Sequence, residues 1–175
     1  PVTLTSSTGA DHEGIQFNSS SNNRGSILNN LSIEDSIYGV TMYGANPIIH
    51  NLTISNPDRV GIDLFSSSSP QIYDLFINQA GRVLPFQNDW RYGLGLSIGS
   101  GSTPIVDGAV FTDHLTRAIN IWGGSGGVLR NLVMSNISGS SWAISAGVWV
   151  EDSQPLLLNL SVDRSDYGVV VRHID

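Results

Sequence analysis

Apolar and polar residues follow one another along this chain in a fixed order, and the order repeats. Pro47-Ile48-Ile49-His50-Asn51-Leu52-Thr53-Ile54 is followed by Gly61-Ile62-Asp63-Leu64. The first string returns at Ser26 to Ile33, Pro70 to Ile77, Pro104 to Phe111, Gly127 to Met134 and Pro155 to Val162. The second returns at Gly14 to Phe17, Gly39 to Met42, Gly95 to Ile98, Ala118 to Ile121, Gly147 to Val150 and Gly168 to Val171. Apolar residues at alternate positions, as in Ile62/Leu64, place one side chain inward and the next outward, which predicts strands. No segment sustains a helical period. A repeat in the low twenties is the mark of a solenoid, in which each coil buries its apolar face against its neighbours.

Each coil reads as a strand, a polar turn, a second strand, a one-residue corner and a third strand. The corners fall at Asn30, Asn51, Asp74, Gly108, Asn131 and Asn159. Asn, Asp and Gly tolerate the left-handed backbone that a sharp corner needs. Stacked corner amides are expected to bond along the axis, inside the coil. The corners lie 21, 23, 34, 23 and 28 residues apart. The interval of 34 holds an insertion, Asn78 to Tyr92, and the interval of 28 a smaller one around Ser138 to Trp142. Residues 1–13 form a lead-in or partial coil, and 14–175 the repeat itself, with about seven coils.

The Gly-apolar-x-apolar strand and the Pro-x-apolar-x-Asn-Leu-x-Ile pair resemble the right-handed parallel β-helix family, the pectin-lyase-like superfold. The resemblance runs from about Gly14 to Val171. It implies an all-β, right-handed parallel β-helix solenoid. It does not imply one function, because the superfold hosts lyases, hydrolases, epimerases, adhesins and inert stalks.

Composition narrows the function classes. The formal net charge is -7, and all eight basic residues are Arg. Phosphate backbones demand clustered positive charge, so a nucleic-acid partner is excluded. No apolar run is long enough to cross a bilayer, so no membrane insertion is expected. Without Cys, neither disulfides nor Cys-ligated metals support the fold. The four His (12, 50, 114 and 173) lack metal-ligand spacing and read as surface residues. No metal site is assigned. Ca²⁺ is the one candidate ion, and the acidic pairs Glu34-Asp35 and Glu151-Asp152 read as solvated turns rather than converging ligands.

The outward positions of the first strand form a row, Gln16, Thr41, Asp63, Ser97, Asn120, Trp149 and Val170. Beside it runs Asn18, Tyr43, Phe65, Gly99, Trp122, Glu151 and Arg172. Aromatic rings along a groove stack on the apolar faces of sugars. Tyr43, Phe65, Trp122 and Trp149 are therefore candidate glycan contacts, joined by Trp90 and Arg91 on the insertion, which can recognise a hydroxylated or carboxylated ligand. The bland alternative is that the aromatics cover strand edges. Arg172 beside Glu151 reads as a surface ion pair, worth under about 1 kcal/mol.

Enzyme signatures are sparse. Glycoside hydrolysis needs carboxylates about 5–9.5 Å apart. Asp63 and Glu151 are three coils apart, about 14 Å at 4.8 Å per coil, and Asp107 has no acidic neighbour in its row. The Asp-Asp pair and Gly-His-Gly expected of polygalacturonases in the resembled family are absent. Its lyases use Lys or Arg as base, and this chain has no Lys. No catalytic residue is assigned. Sequons stand at Asn18, Asn30, Asn51, Asn136 and Asn159, of which the three corner Asn are expected to be inaccessible.

The expectation is a non-catalytic β-helix module of an extracellular or cell-surface protein, a rigid spacer or adhesin-like domain that binds glycans through its aromatic row. The alternative is a carbohydrate-active enzyme: a polysaccharide lyase, epimerase or glycoside hydrolase. The last residues still read as a strand rather than a polar cap. That suggests a piece of a longer chain, or end-to-end stacking with further coils or copies.

Overall fold

The structure is a computed structural model, and it describes residues 2–4, 12–19, 26–81, 92–139 and 144–173. Its strands in chain order are β1 (Val2–Leu4), β2 (Ile15–Phe17), β3 (Ile27–Glu34), β4 (Tyr38–Tyr43), β5 (Ile48–Ser55), β6 (Val60–Phe65) and β7 (Gln71–Asn78). They continue with β8 (Leu94–Ile98), β9 (Ile105–Thr112), β10 (Arg117–Ile121), β11 (Val128–Ser135), β12 (Ala146–Glu151), β13 (Leu156–Asp163) and β14 (Tyr167–Arg172). Odd strands form one sheet of seven and even strands another, each strand beside its equivalents in the adjoining coils. Every pairing is parallel, as a chain winding in one direction requires.

Register follows the repeat. Val40, Ile62, Leu96, Ile119 and Val148 stack in the even sheet, and Leu31, Leu52, Leu75, Ala109, Leu132 and Leu160 in the odd one. Both files are apolar and, in the middle coils, buried. Burying each such side chain contributes about 1.5–3 kcal/mol. One coil departs from the pattern. Where its neighbours carry Leu75/Ile77 and Leu132/Met134, it carries Ala109 and Phe111, both buried. The Phe111 ring lies against Gly95 and beside His114.

The odd strands are bent in the middle. Asn30, Asn51, Asp74, Asn131 and Asn159 have φ between 51° and 57°, and Gly108 has 73°. The corners are thus left-handed, as predicted, but their Asn and Asp side chains are exposed rather than inside the coil. A left-handed residue interrupts alternation: Ile49 points in, His50 and Asn51 out, Leu52 in again. The amide ladder therefore runs outside. Asn51 Nδ2 donates to Asn30 Oδ1 at 3.2 Å and Asn159 Nδ2 to Asn131 Oδ1 at 2.7 Å. Beside Gly108, which has no amide, Asn131 Nδ2 donates to Asp107 Oδ1 at 2.6 Å. The sequons at Asn30, Asn51 and Asn159 are accordingly on the surface.

A second left-handed file, five residues later, was not foreseen: Asp35, Asn56, Gln79, Asp113, Asn136 and Arg164. Its spacings equal those of the first. The 78–92 insertion leaves from this corner. Gly81 and Gly93 nearly touch, a Cβ on Gly81 falling 2.8 Å from the Gly93 Cα. The two ends of the insertion thereby meet, and the strands on either side keep register.

His114, expected on the surface, is buried. Its Nδ1 accepts the Ala80 N–H at 3.2 Å, and its ring lies 6.0 Å from that of Phe111. Burial pushes the imidazole down from 6.5 to about 3. The ring is neutral at physiological pH and acts as a core residue that caps one backbone amide.

Candidate functional site

The outer face of the even sheet is a groove. Its floor is the register row Gln16, Thr41, Asp63, Ser97, Asn120 and Trp149. Thr41, Asp63, Ser97 and Asn120 are buried although they point away from the core.

One rim is aromatic, and the turns beneath it explain why it is ordered. Buried Ser68 and Ser102 occupy equivalent places after β6 and β8. Each hydroxyl donates to a carbonyl three residues back, Phe65 O and Gly99 O, at 2.7 Å. Each also accepts a backbone N–H from the preceding coil, Ala45 N at 3.3 Å and Ser68 N at 3.2 Å. This serine file pins the turn just beyond the rim. Tyr43 and Phe65 then stack, centroids 5.4 Å apart and planes 14° apart. The next position is Gly99, and Trp122 fills its empty place. A Cβ on Gly99 would fall 2.3 Å from the indole. Lying across that backbone, Trp122 meets Phe65 edge-on at 6.4 Å. Three of the predicted contacts thus form one aromatic line over four coils.

The fourth does not join it. Trp149 is only 6 % exposed. The Arg117 guanidinium lies 4.1 Å from its ring centroid and that of Arg172 5.5 Å. Its Nε1–H donates to Glu151 Oε2 at 3.2 Å. Its position in the row is as predicted, but arginines rather than open groove cover its ring. Arg172 pairs in register with Glu151 and lies on Trp149 instead of forming the expected ion pair. Trp90 and Arg91 lie outside the described residues.

The opposite rim was missed. It consists of Tyr38, Arg59, Tyr92 and Arg117. Arg59 sits 5.8 Å from the Tyr38 ring centroid and 5.1 Å from that of Tyr92, and its Nη1 donates to Tyr38 Oη at 3.0 Å. That bond raises the Arg59 pKa further. Arg117 Nη1 donates to Asn120 Oδ1 at 2.6 Å. Burial lowers the Arg117 pKa, and Glu151 opposes that effect. Tyr38 and Arg117 share one register column just before the glycine row, a signal present in the repeat.

Two clefts open along the groove. One of about 380 Å³ is lined by Glu13, Gln16, Tyr38, Tyr43, Asp63 and Phe65, among others. The other, of about 200 Å³, is lined by Arg117, Asn120, Trp122 and Glu151. Each combines a flat ring with hydrogen-bonding side chains, the lining that a hydroxyl-rich ring ligand requires. Glu13 and Asp63 share the larger cleft, two coils and three residues apart along the sheet, about 14 Å between backbones. Among the described residues, no three His, Cys, Asp or Glu converge as a cation site.

No curated protein matches the chain. Residues 2–136, more than half of it, match the family model described as the right-handed beta helix region. With its parallel coils, stacked corners and continuous apolar core, the chain belongs to the right-handed β-helix family.

Proposed function

We propose that this β-helix is a non-catalytic, glycan-binding module of an extracellular or cell-surface protein, a rigid scaffold that presents one groove to a polysaccharide. The observation that carries the reading is the aromatic line Tyr43–Phe65–Trp122 beside a polar floor. Rings stack on sugar faces, while Gln16, Asn120, Arg117 and Glu151 offer donors and acceptors to hydroxyls. The groove runs along the solenoid axis, so a linear chain of sugars lies parallel to the stacking direction.

The test is a glycan array with neutral and uronate-containing oligosaccharides, with and without Ca²⁺, followed by calorimetry on the best ligand. Trp122→Ala and Tyr43→Ala should each weaken binding about tenfold, a loss of about 1–1.5 kcal/mol. Arrays on which the wild-type chain retains nothing, or on which both variants bind as well as wild type, reject the platform.

A second reading, a carbohydrate-active enzyme, draws on Glu13 and Asp63, which unlike Asp63 and Glu151 line one cleft, although their backbones stand wider apart than the about 5–9.5 Å that paired carboxyl groups need. Release of new reducing ends or unsaturated uronides from a bound polysaccharide, lost in Asp63→Asn, would replace the first reading with this one.

A further inference from the structure

The two clefts along the groove differ in the sign of their charge. The smaller is lined by one base and one acid, Arg117 and Glu151. The larger, of about 380 Å³, is lined by two acids, Glu13 and Asp63, and among the described residues by no base. Glu13 lies two residues before Ile15, as Tyr38 does before Val40, so the two share one column on the rim. It is exposed and makes no ion pair among the described residues. The backbone around it is held by the preceding histidine. His12 Nδ1 accepts the Gly14 N–H at 3.0 Å, which leaves the Nε2–H to donate to Glu34 O at 3.1 Å.

The rings of the groove point to the same class of ligand. Tyr38, Tyr92 and Trp149 each have a guanidinium on the ring, Arg59 on the first two and Arg117 with Arg172 on the third. No guanidinium lies on Tyr43 or Phe65 among the described residues. Tyr43 stacks on Phe65 through one face and is 40 % exposed. An aromatic face attracts a cation through its quadrupole. A carboxylate across the cleft adds a charge-assisted hydrogen bond. An anionic ligand would instead meet like charge at this end of the groove. Gln16 and Thr41, between the rims, offer donors and acceptors to hydroxyls.

We propose that the larger cleft binds an amino sugar with a free, protonated amine, its ring against Tyr43 and its ammonium turned across the floor to Glu13. This rests on the reading of the groove as a glycan platform and gives it a ligand class. Asp63 stands two coils from Glu13, too far to share one amine with it, so Glu13 is the assigned partner.

Calorimetry at about pH 6, where the amine is protonated, compares a glucosamine trimer with its N-acetylated counterpart, which has the same rings and no charge. The free amine should bind about tenfold more tightly, and added salt should narrow the gap. Glu13→Gln should remove most of that difference, and Tyr43→Ala should weaken binding to a similar extent. A chain with a net charge of -7 also attracts cations without a site. Asp163→Asn removes the same charge from an exposed position on the odd sheet and should bind as wild type does. Choline, an ammonium without a sugar, should bind about tenfold more weakly than the trimer. Equal affinity for the two trimers overturns this inference and leaves the glycan platform standing. Binding of neither trimer overturns it as well, and the array then decides the platform on its own. Choline bound as tightly as the amino sugar overturns the assignment to a sugar. Full affinity in Glu13→Gln, or an equal loss in Asp163→Asn, overturns the site.

Discussion

The indole of Trp122 rests on the bare backbone of Gly99, so close that a methyl group there would fall 2.3 Å from the ring. A missing side chain in one coil thus lets an aromatic from the next reach Phe65 across it. Gly99→Ala should push Trp122 out of line with little effect on stability, because a side chain rather than backbone gives way. Glycan affinity should then fall about as far as in Trp122→Ala, about tenfold or 1.4 kcal/mol. Calorimetry on the two variants side by side checks this; full affinity in Gly99→Ala would mean that the line is not what the ligand reads.

Gly61 and Gly168 occupy the same row and should respond oppositely to alanine. At Gly61 the new methyl meets the Gly95 carbonyl at 2.6 Å and Ile77 at 2.7 Å, so two coils must move apart. Overpacking of this kind costs about 1–3 kcal/mol, which lowers Tm by about 2–4 °C per kcal/mol in a chain this size. Gly168→Ala has open space and should be neutral or stabilising by up to about 1 kcal/mol, through the unfolded state. Thermal melts of both decide the matter.

Phe111 and Ala109 share one layer of the core. Phe111→Ile alone should leave a cavity and cost about 1–2 kcal/mol, and Ala109→Leu alone should overpack by a similar amount. Together they restore the Leu/Ile pairing of the preceding coil, Leu75 and Ile77, so the double variant should lose less than the sum of the two. Urea denaturation of the four chains in the cycle measures the coupling, and simple additivity would show that the two volumes do not compensate.

Stability should also depend on pH through His114. Its folded-state pKa, about 3, lies below the unfolded 6.5, so the unfolded chain binds the extra proton. Above pH 6.5 the residue imposes no proton-linked loss. As pH falls from there towards 3, folding stability is lost at about 1.4 kcal/mol per unit. Between pH 7.5 and 5 the wild type should therefore lose about 2 kcal/mol more than His114→Asn, whose side-chain oxygen can still accept the Ala80 N–H. Equal losses in the two chains, measured by denaturant unfolding at both pH values, would show that the ring takes up its proton without unfolding.

What the amino-acid order determined by itself is the winding. Apolar alternation and left-handed residues at intervals of 21, 23, 34, 23 and 28 required coils in register, with extra residues inserted at the long interval. Repeated geometry writes repeated residues, so this part was legible, and so was the second corner file had Asp35, Asn56 and Gln79 been set beside Asn30, Asn51 and Asp74. The aromatic line was half legible: Tyr43, Phe65 and Trp122 fell on one row, but only the packing shows Trp122 lying on Gly99.

The tertiary structure alone decided what covers each position. Trp149 sits in the predicted row, yet Arg117 and Arg172, one from each neighbouring coil, lie on its ring. His114 looks like a surface residue until the preceding coil places Ala80 against it. The corner asparagines turned outward because a left-handed residue puts two successive side chains on the same side. Period and polarity specify which way a strand faces. Which neighbouring side chain then reaches over it depends on three-dimensional packing between residues far apart in the chain.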